Sequence, residues 1–145
     1  RNVSVADTVR LDGIEGRRVD MELVLHPKDP KDIYQKFAVR FAQNDQYQTS
    51  LSFRPREGVL KVDRKFSGSR RAIIHQRRCL VNSPDARKGE LRLRIILDRF
   101  SVEAFINDGE QVMTATLYTD QAARGISFFA DGEVCMDLVK YDLGD

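Results

Sequence analysis

The sequence has no tryptophan, two cysteines, four prolines and a net charge of only +2 from 24 basic and 22 acidic residues. Each shortage excludes something. Without a marked or clustered basic excess, the chain does not read as a nucleic-acid binder. Arg70-Arg71 with Arg77-Arg78 is the one local cluster; it reads as a solvated face, with phosphate binding as the alternative. Cys79 and Cys135 lie far apart with no Cys-x-x-Cys or Cys/His ligand spacing, so neither a metal nor a cofactor is expected. Free buried thiols in a cytoplasmic protein are the preferred reading of that pair, a disulfide in a secreted one the alternative. There is no run of about 18 apolar residues and no basic-then-apolar leader, so neither a membrane span nor a signal peptide is expected. No helical periodicity of useful length and no solenoid repeat appears. The opening Arg1-Asn2-Val3 has no initiator methionine, which fits a piece of a longer protein.

What remains is ordinary globular composition arranged with a period of two. With 145 residues, 41% of them apolar and 32% charged, one domain is expected, burying roughly 68–70% of its unfolded surface. The stretch from Leu91 to Tyr118 organises the chain. Leu91, Leu93, Ile95 and Leu97 alternate with Arg92, Arg94, Ile96 and Asp98, and Val102, Ala104 and Ile106 alternate with Ser101, Glu103 and Phe105. Asn107-Asp108-Gly109 tolerates positive φ and predicts a hairpin turn into a third strand from Val112.

Elsewhere, residues 1–16 are polar and Gly-containing and read as a linker or lead-in segment, leaving 17–145 as a single domain. Strands are expected from Val19 to His26, across Tyr34 to Ala42, from Tyr47 to Phe53, from Val59 to Val62 and near Cys79-Leu80-Val81. After the central hairpin come Ile126 to Ala130 and Val134 to Leu143, with Asp131-Gly132 between them as a second hairpin signal. About nine or ten short strands with turn residues between them predict an all-β fold of two packed antiparallel sheets or a barrel.

Two segments carry a resemblance. Residues 97–110, Leu-Asp-Arg-Phe-Ser-Val-Glu-Ala-Phe-Ile-Asn-Asp-Gly-Glu, resemble the Asp-Arg-x-Ser-Val-Glu-x-Phe-x-Asn-x-Gly landmark in the C-terminal domain of glycoside hydrolase family 32, the invertases, sucrose-6-phosphate hydrolases, levanases and inulinases. Residues 60–68, an apolar strand running into Asp63-Arg64 and then Ser67-Gly68, resemble the family's second landmark. The departure is Phe100, where the family usually has serine. The resemblance favours a sandwich of the jelly-roll or lectin-like kind. It implies an accessory domain of a β-fructosidase, whose partner is the N-terminal catalytic five-bladed propeller of the same polypeptide.

It also implies that this chain holds no catalytic residue. The family's catalytic groups lie in the propeller, in Trp-Met-Asn-Asp-Pro-Asn-like, Arg-Asp-Pro and Glu-Cys segments. Here Asp29-Pro30 follows Lys28, and Cys135 follows Val134. Asp98, Arg99 and Glu103 are instead candidates for a structural ion pair or for contact with the partner domain, with sugar binding as a third option. Asp63 and Arg64 join them because Val62-Asp63-Arg64 echoes Leu97-Asp98-Arg99 and could place two Asp-Arg pairs at similar strand ends. His26 and His75 have no acidic, Ser or Cys partner at a motif spacing. Tyr34, Tyr47 and Tyr118 are the candidate sugar contacts if the domain is an autonomous fructan-binding module. Homo-oligomer formation is a further expectation for a surface stripped of its partner.

Overall fold

The computed structural model describes residues 2–64, 76–117, 119 and 122–143. Its strands are β1 (Asn2–Val9), β2 (Val19–Pro27), β3 (Lys36–Gln43), β4 (Thr49–Arg54), β5 (Val59–Asp63), β6 (Gln76–Leu80), β7 (Leu91–Leu97), β8 (Ser101–Ile106), β9 (Gln111–Thr116) and β10 (Gly125–Asp142). A short 3-10 turn, Pro84–Lys88, precedes β7. Residues 65–68 of the second landmark, together with Arg70, Arg71, Ile73, Ile74 and His75, lie outside the described residues.

All pairings are antiparallel, and the path runs β6-β5-β4-β3-β10-β2-β7-β8-β9 with β1 also on β10. The long β10 makes this one path into two layers. Its first half pairs with β3 through Asp131↔Lys36, and its second half pairs with β2 from Val134↔Pro27 to Asp142↔Val19. β1 follows it around the bend, with a register shift between Val5 and Asp7. One sheet is therefore β6-β5-β4-β3-β10-β1 and the other β1-β10-β2-β7-β8-β9, sharing β1 and β10 at the corner. This is the antiparallel sandwich that the resemblance favours, one of the two all-β architectures the strand count allows.

Two expectations are corrected here. Residues 1–16 are not merely a lead-in, because Asn2–Val9 is a strand of both sheets and Val5 is fully buried. Its apolar residues Val3, Val5 and Val9 are spaced too loosely among polar ones to stand out in a sequence pattern. Asp131-Gly132 is not a hairpin either. The strand continues through it as a bend, because the residues before and after find different neighbours, β3 and β2, rather than each other. Gly132 has φ 104°, and a Cβ there would stand 2.8 Å from the Cα of Tyr34, so only glycine permits the crossing.

The core lies between the inner faces. Met21, Leu23, Leu25, Leu93, Ile95, Val102, Ala104, Met136 and Leu138 fill one side, and Phe37, Val39, Phe41, Leu51, Phe53, Leu60, Val62 and Phe128 the other. Phe37 and Phe128 stack with ring centroids 6.5 Å apart. Burying each such side chain contributes about 1.5–3 kcal/mol, which is why the alternation in β2, β7 and β8 fixes their register.

Candidate functional site

The landmark over residues 97–110 forms the end of β7, a tight turn, β8 and the hairpin to β9. In the turn, the Asp98 N–H donates to the Ser101 carbonyl at 2.8 Å. The Asp98 carboxylate accepts from the Arg99 N–H at 2.7 Å and pairs with Arg18 Nε at 3.2 Å. Aspartate is suited to this position because its short carboxylate reaches its neighbour's backbone N–H. At the other end of β8, Asn107, Asp108 and Gly109 all have positive φ, as the hairpin expectation requires.

A residue that the sequence reading passed over holds this turn. Buried Arg17 donates through Nη2 to the Arg99 carbonyl at 2.6 Å and through Nη1 to the Thr119 carbonyl at 3.1 Å. Leu117 N–H donates to the Phe100 carbonyl at 2.7 Å. Arg64, buried and just past β5, donates through Nη1 to both the carbonyl and Oγ1 of Thr116 at 2.9 Å. Arg64 thus holds Thr116 from one sheet, while Arg17 ties the Arg99 carbonyl of the β7–β8 turn to the Thr119 carbonyl. A buried guanidinium needs such fixed acceptors to offset its desolvation. Arg17 was findable only as an arginine directly ahead of a strand.

The five charged candidates do not form one cluster. Asp98 and Arg99 sit at the β7–β8 turn. Asp63, at the end of β5, has Lys61 Nζ at 3.8 Å and accepts from Gln76 Nε2 at 3.2 Å. Glu103 stands on the outer face of β8, opposite Ile96 and Thr114, and among the described residues no ion pair reaches it. Asp98 pairs with Arg18, just ahead of β2. Of the tyrosines, Tyr34 is 1% exposed and donates its hydroxyl to the Gly89 carbonyl at 2.7 Å, so it is a core residue and not a sugar contact. Its place just ahead of β3 made it look like part of a half-exposed strand. Tyr47 is 37% exposed, and Tyr118 lies outside the described residues. His26 is exposed on β2, opposite Cys135; among the described residues no three His, Cys, Asp or Glu side chains are placed to hold a metal.

Around the β7–β8 turn opens a cleft of about 760 Å³, lined by the cations Arg17, Arg18, Arg99, Arg124 and Lys140 against Glu15 and Asp142. Phe100 stands at its rim, 63% exposed. One step along the strands begins the outer face of the β1-β10-β2-β7-β8-β9 sheet, where Tyr141, Asp20, Ile96, Glu103 and Thr114 share a row. Exposed Val24, Val139 and Tyr141 mix there with Arg92 and Glu22. Arg94 makes a two-pronged contact with Asp20, at 3.0 and 2.6 Å, and hydrogen bonding to that carboxylate holds the Arg94 pKa above its usual value. Apolar and charged groups on one face are what an interface inside a larger chain presents.

Comparison with known proteins bears on the family and the fold. The family description "Glycosyl hydrolases family 32 C terminal" matches residues 1–142. A sucrose-6-phosphate hydrolase of Staphylococcus xylosus is 30% identical over 139 residues, covering 94% of this chain and 26% of that protein. A levanase of Bacillus subtilis (strain 168) is 35% identical over 97 residues, covering 65% of this chain and 14% of the levanase. The chain thus spans about a quarter or less of these relatives. Among solved structures, the exo-inulinase of Aspergillus awamori superposes with a TM-score of 0.74 at 19% identity, over 99% of this chain and 28% of that one. The sucrose-6-phosphate hydrolase of Lactobacillus gasseri gives 0.70 at 22% identity, over 95% and 27%. At these identities the structures establish the fold. The sequence match over nearly the whole chain establishes the family: this chain belongs to glycoside hydrolase family 32, as its C-terminal β-sandwich domain.

Proposed function

We propose that this chain is the accessory sandwich of a β-fructosidase that hydrolyses sucrose, sucrose 6-phosphate or a fructan on a five-bladed catalytic propeller of the same polypeptide. The observation that carries this is the match of residues 1–142 to the family's C-terminal domain, on a chain about a quarter the length of its Staphylococcus xylosus relative. Retaining glycoside hydrolysis needs two carboxylates roughly 5–5.5 Å apart, one as acid and one as nucleophile. The motifs that supply them in the family are not in this sequence. The chain's own work is then mechanical: it covers and steadies the propeller through the rim at Phe100 and the outer face carrying Glu103 and Tyr141.

Interfaces within a chain involve about 600–1,500 Å² and are partly polar, so this surface left uncovered drives self-association into a homo-oligomer. Cys79, on β6, and Cys135, on β10, are free, which supports a parent enzyme kept in the reducing cytoplasm. An autonomous fructan-binding module finds less support, since of its three candidate rings Tyr34 is buried. The test is direct. Purified residues 1–145 incubated with sucrose and with levan release no fructose on this reading, and turnover above a buffer blank overturns it.

A further inference from the structure

The outer face of the other sheet has a different character. Ala38 and Ser52 pair directly, as do Arg40 and Ser50. Lys61 stands beside Ser52 on the next strand, and Phe129 flanks Ala38 on the other side. Because Phe37 pairs with Phe53, Lys36 faces Arg54 one step along. Small side chains therefore make a floor, and Lys36, Arg40, Arg54 and Lys61 stand around it. A cavity of about 160 Å³ opens there, bounded by Lys36, Ala38, Arg40, Gln48, Ser50 and Asp63. At about 30 Å³ per water molecule it has room for a small oxyanion and part of whatever carries it.

Four cations over one floor repel one another, and two acids share the face with them, Asp63 and Asp131, the second lying across from Lys36 on β10. Asp63 is the acid bounding the cavity, and it is already engaged by Lys61 at 3.8 Å and Gln76 at 3.2 Å. Among the described residues neither the Lys36 ammonium nor the Arg54 guanidinium has a hydrogen-bonding or ionic partner. Burial first, then Arg54, Arg40 and Lys61, push the Lys36 pKa below its usual value, with Asp63 opposing. Arg40 is held in place by its guanidinium lying over the Phe129 ring, 5.0 Å from the centroid. Ser50 and Ser52 add hydroxyl donors on the same face.

We propose that this face binds a phosphate group, seated in the cavity over Ala38 and Ser50 and held by Lys36 and Arg40. Arg54 and Lys61 add positive potential beside Lys36. A phosphate monoester carries nearly two negative charges and three acceptor oxygens, which answers several converging cations where a single carboxylate does not. The enclosure is too small for a macromolecular partner to enter. Arg78, from the arginine cluster noted in the sequence, pairs with Lys61 across β5 and β6 and adds positive potential at the margin. The proposal stands apart from the accessory role, since it concerns the face away from Phe100 and Glu103.

Two sources share this chemistry, free phosphate and the phosphate ester of a sugar. Calorimetric titration of the 145-residue chain at low ionic strength with inorganic phosphate, fructose 6-phosphate and fructose separates them. Both phosphate compounds, or the ester alone, are expected to bind, and fructose is not. Binding of the ester about tenfold tighter than phosphate identifies a sugar phosphate, and equal binding identifies phosphate itself. The pair Lys36→Gln with Arg54→Gln, which relieves repulsion and leaves the fold intact, weakens binding by about tenfold or more. Lys88→Gln with Arg92→Gln removes the same charge elsewhere and leaves binding within about twofold. Failure of the ester to bind, fructose binding as tight as its phosphate, or equal losses in both variant pairs overturns the site.

Discussion

Arg64 and Thr116 lie 52 residues apart in sequence, yet the guanidinium of one donates to both the carbonyl and the hydroxyl of the other at 2.9 Å. They join the β5 end of one sheet to the β9 end of the other. At the opposite end of β9, Gln111 donates through Nε2 to the Leu80 carbonyl at 2.7 Å and accepts from the Asn82 N–H at 2.9 Å. These contacts close the sandwich on the side opposite the β10 bend, so both open edges of the layers are covered. Replacing Arg64 with glutamine should cost about 1.5–3 kcal/mol in denaturant unfolding, because a hydrogen bond to a charged group is lost and buried acceptors are stranded. Lysine should recover only part, having no planar fork to reach both oxygens. A loss under about 0.5 kcal/mol, the range of an ordinary surface change, would show that the closure is not held here.

Two glycines should respond very differently to alanine. Gly109 has φ 88° with open space where a Cβ would go, so Gly109→Ala should cost about 1–2 kcal/mol from conformation alone. Gly132 has φ 104° and the Tyr34 Cα 2.8 Å from the same position, which adds steric overlap with backbone. Gly132→Ala should cost about 3 kcal/mol or more, and melting curves of the two variants give the comparison. Equal shifts would mean that β10 does not cross between sheets at Gly132.

The Tyr34 hydroxyl gives a pH dependence with a definite sign. Burial raises its pKa well above the ordinary 10.0, so the folded chain keeps this proton where the unfolded chain has lost it. Above about pH 10 the folded state binds more protons than the unfolded one, and stability falls as pH rises. Tyr34→Phe should flatten that alkaline slope. At neutral pH it should cost about 1–3 kcal/mol, because the Gly89 carbonyl loses its donor. An unchanged slope between pH 9 and about pH 11 in the variant would exclude Tyr34 as the titrating group.

Which features were legible in the sequence follows from their range. Strict alternation in β2, β7 and β8 and the Asn107-Asp108-Gly109 turn are local, and the structure has them where the pattern puts them. The bend at Gly132 reads locally like a reversal, and only the choice of partner strands distinguishes the two. β1 was missed because its burial comes from lying along β10 and not from an apolar pattern of its own. The landmark around Asp98 was found by resemblance, but its partner Arg18 and the Arg17 beneath it belong to a strand end some 80 residues earlier. Nothing in a linear reading joins them.

The central claim is that the rim at Phe100 and the adjoining outer face are covered in the parent enzyme. Phe100 is 63% exposed in this chain, so Phe100→Ser, which restores the residue usual in the family, should change the stability of residues 1–145 by no more than about 0.5 kcal/mol. If a propeller packs on it, the same substitution removes a buried aromatic contact from the full-length enzyme, worth about 1.5–3 kcal/mol. The measurement is the unfolding free energy of both proteins, each with and without the substitution. A loss confined to the full-length enzyme is the predicted result; equal, small changes in both would contradict the claim that this surface faces the catalytic domain.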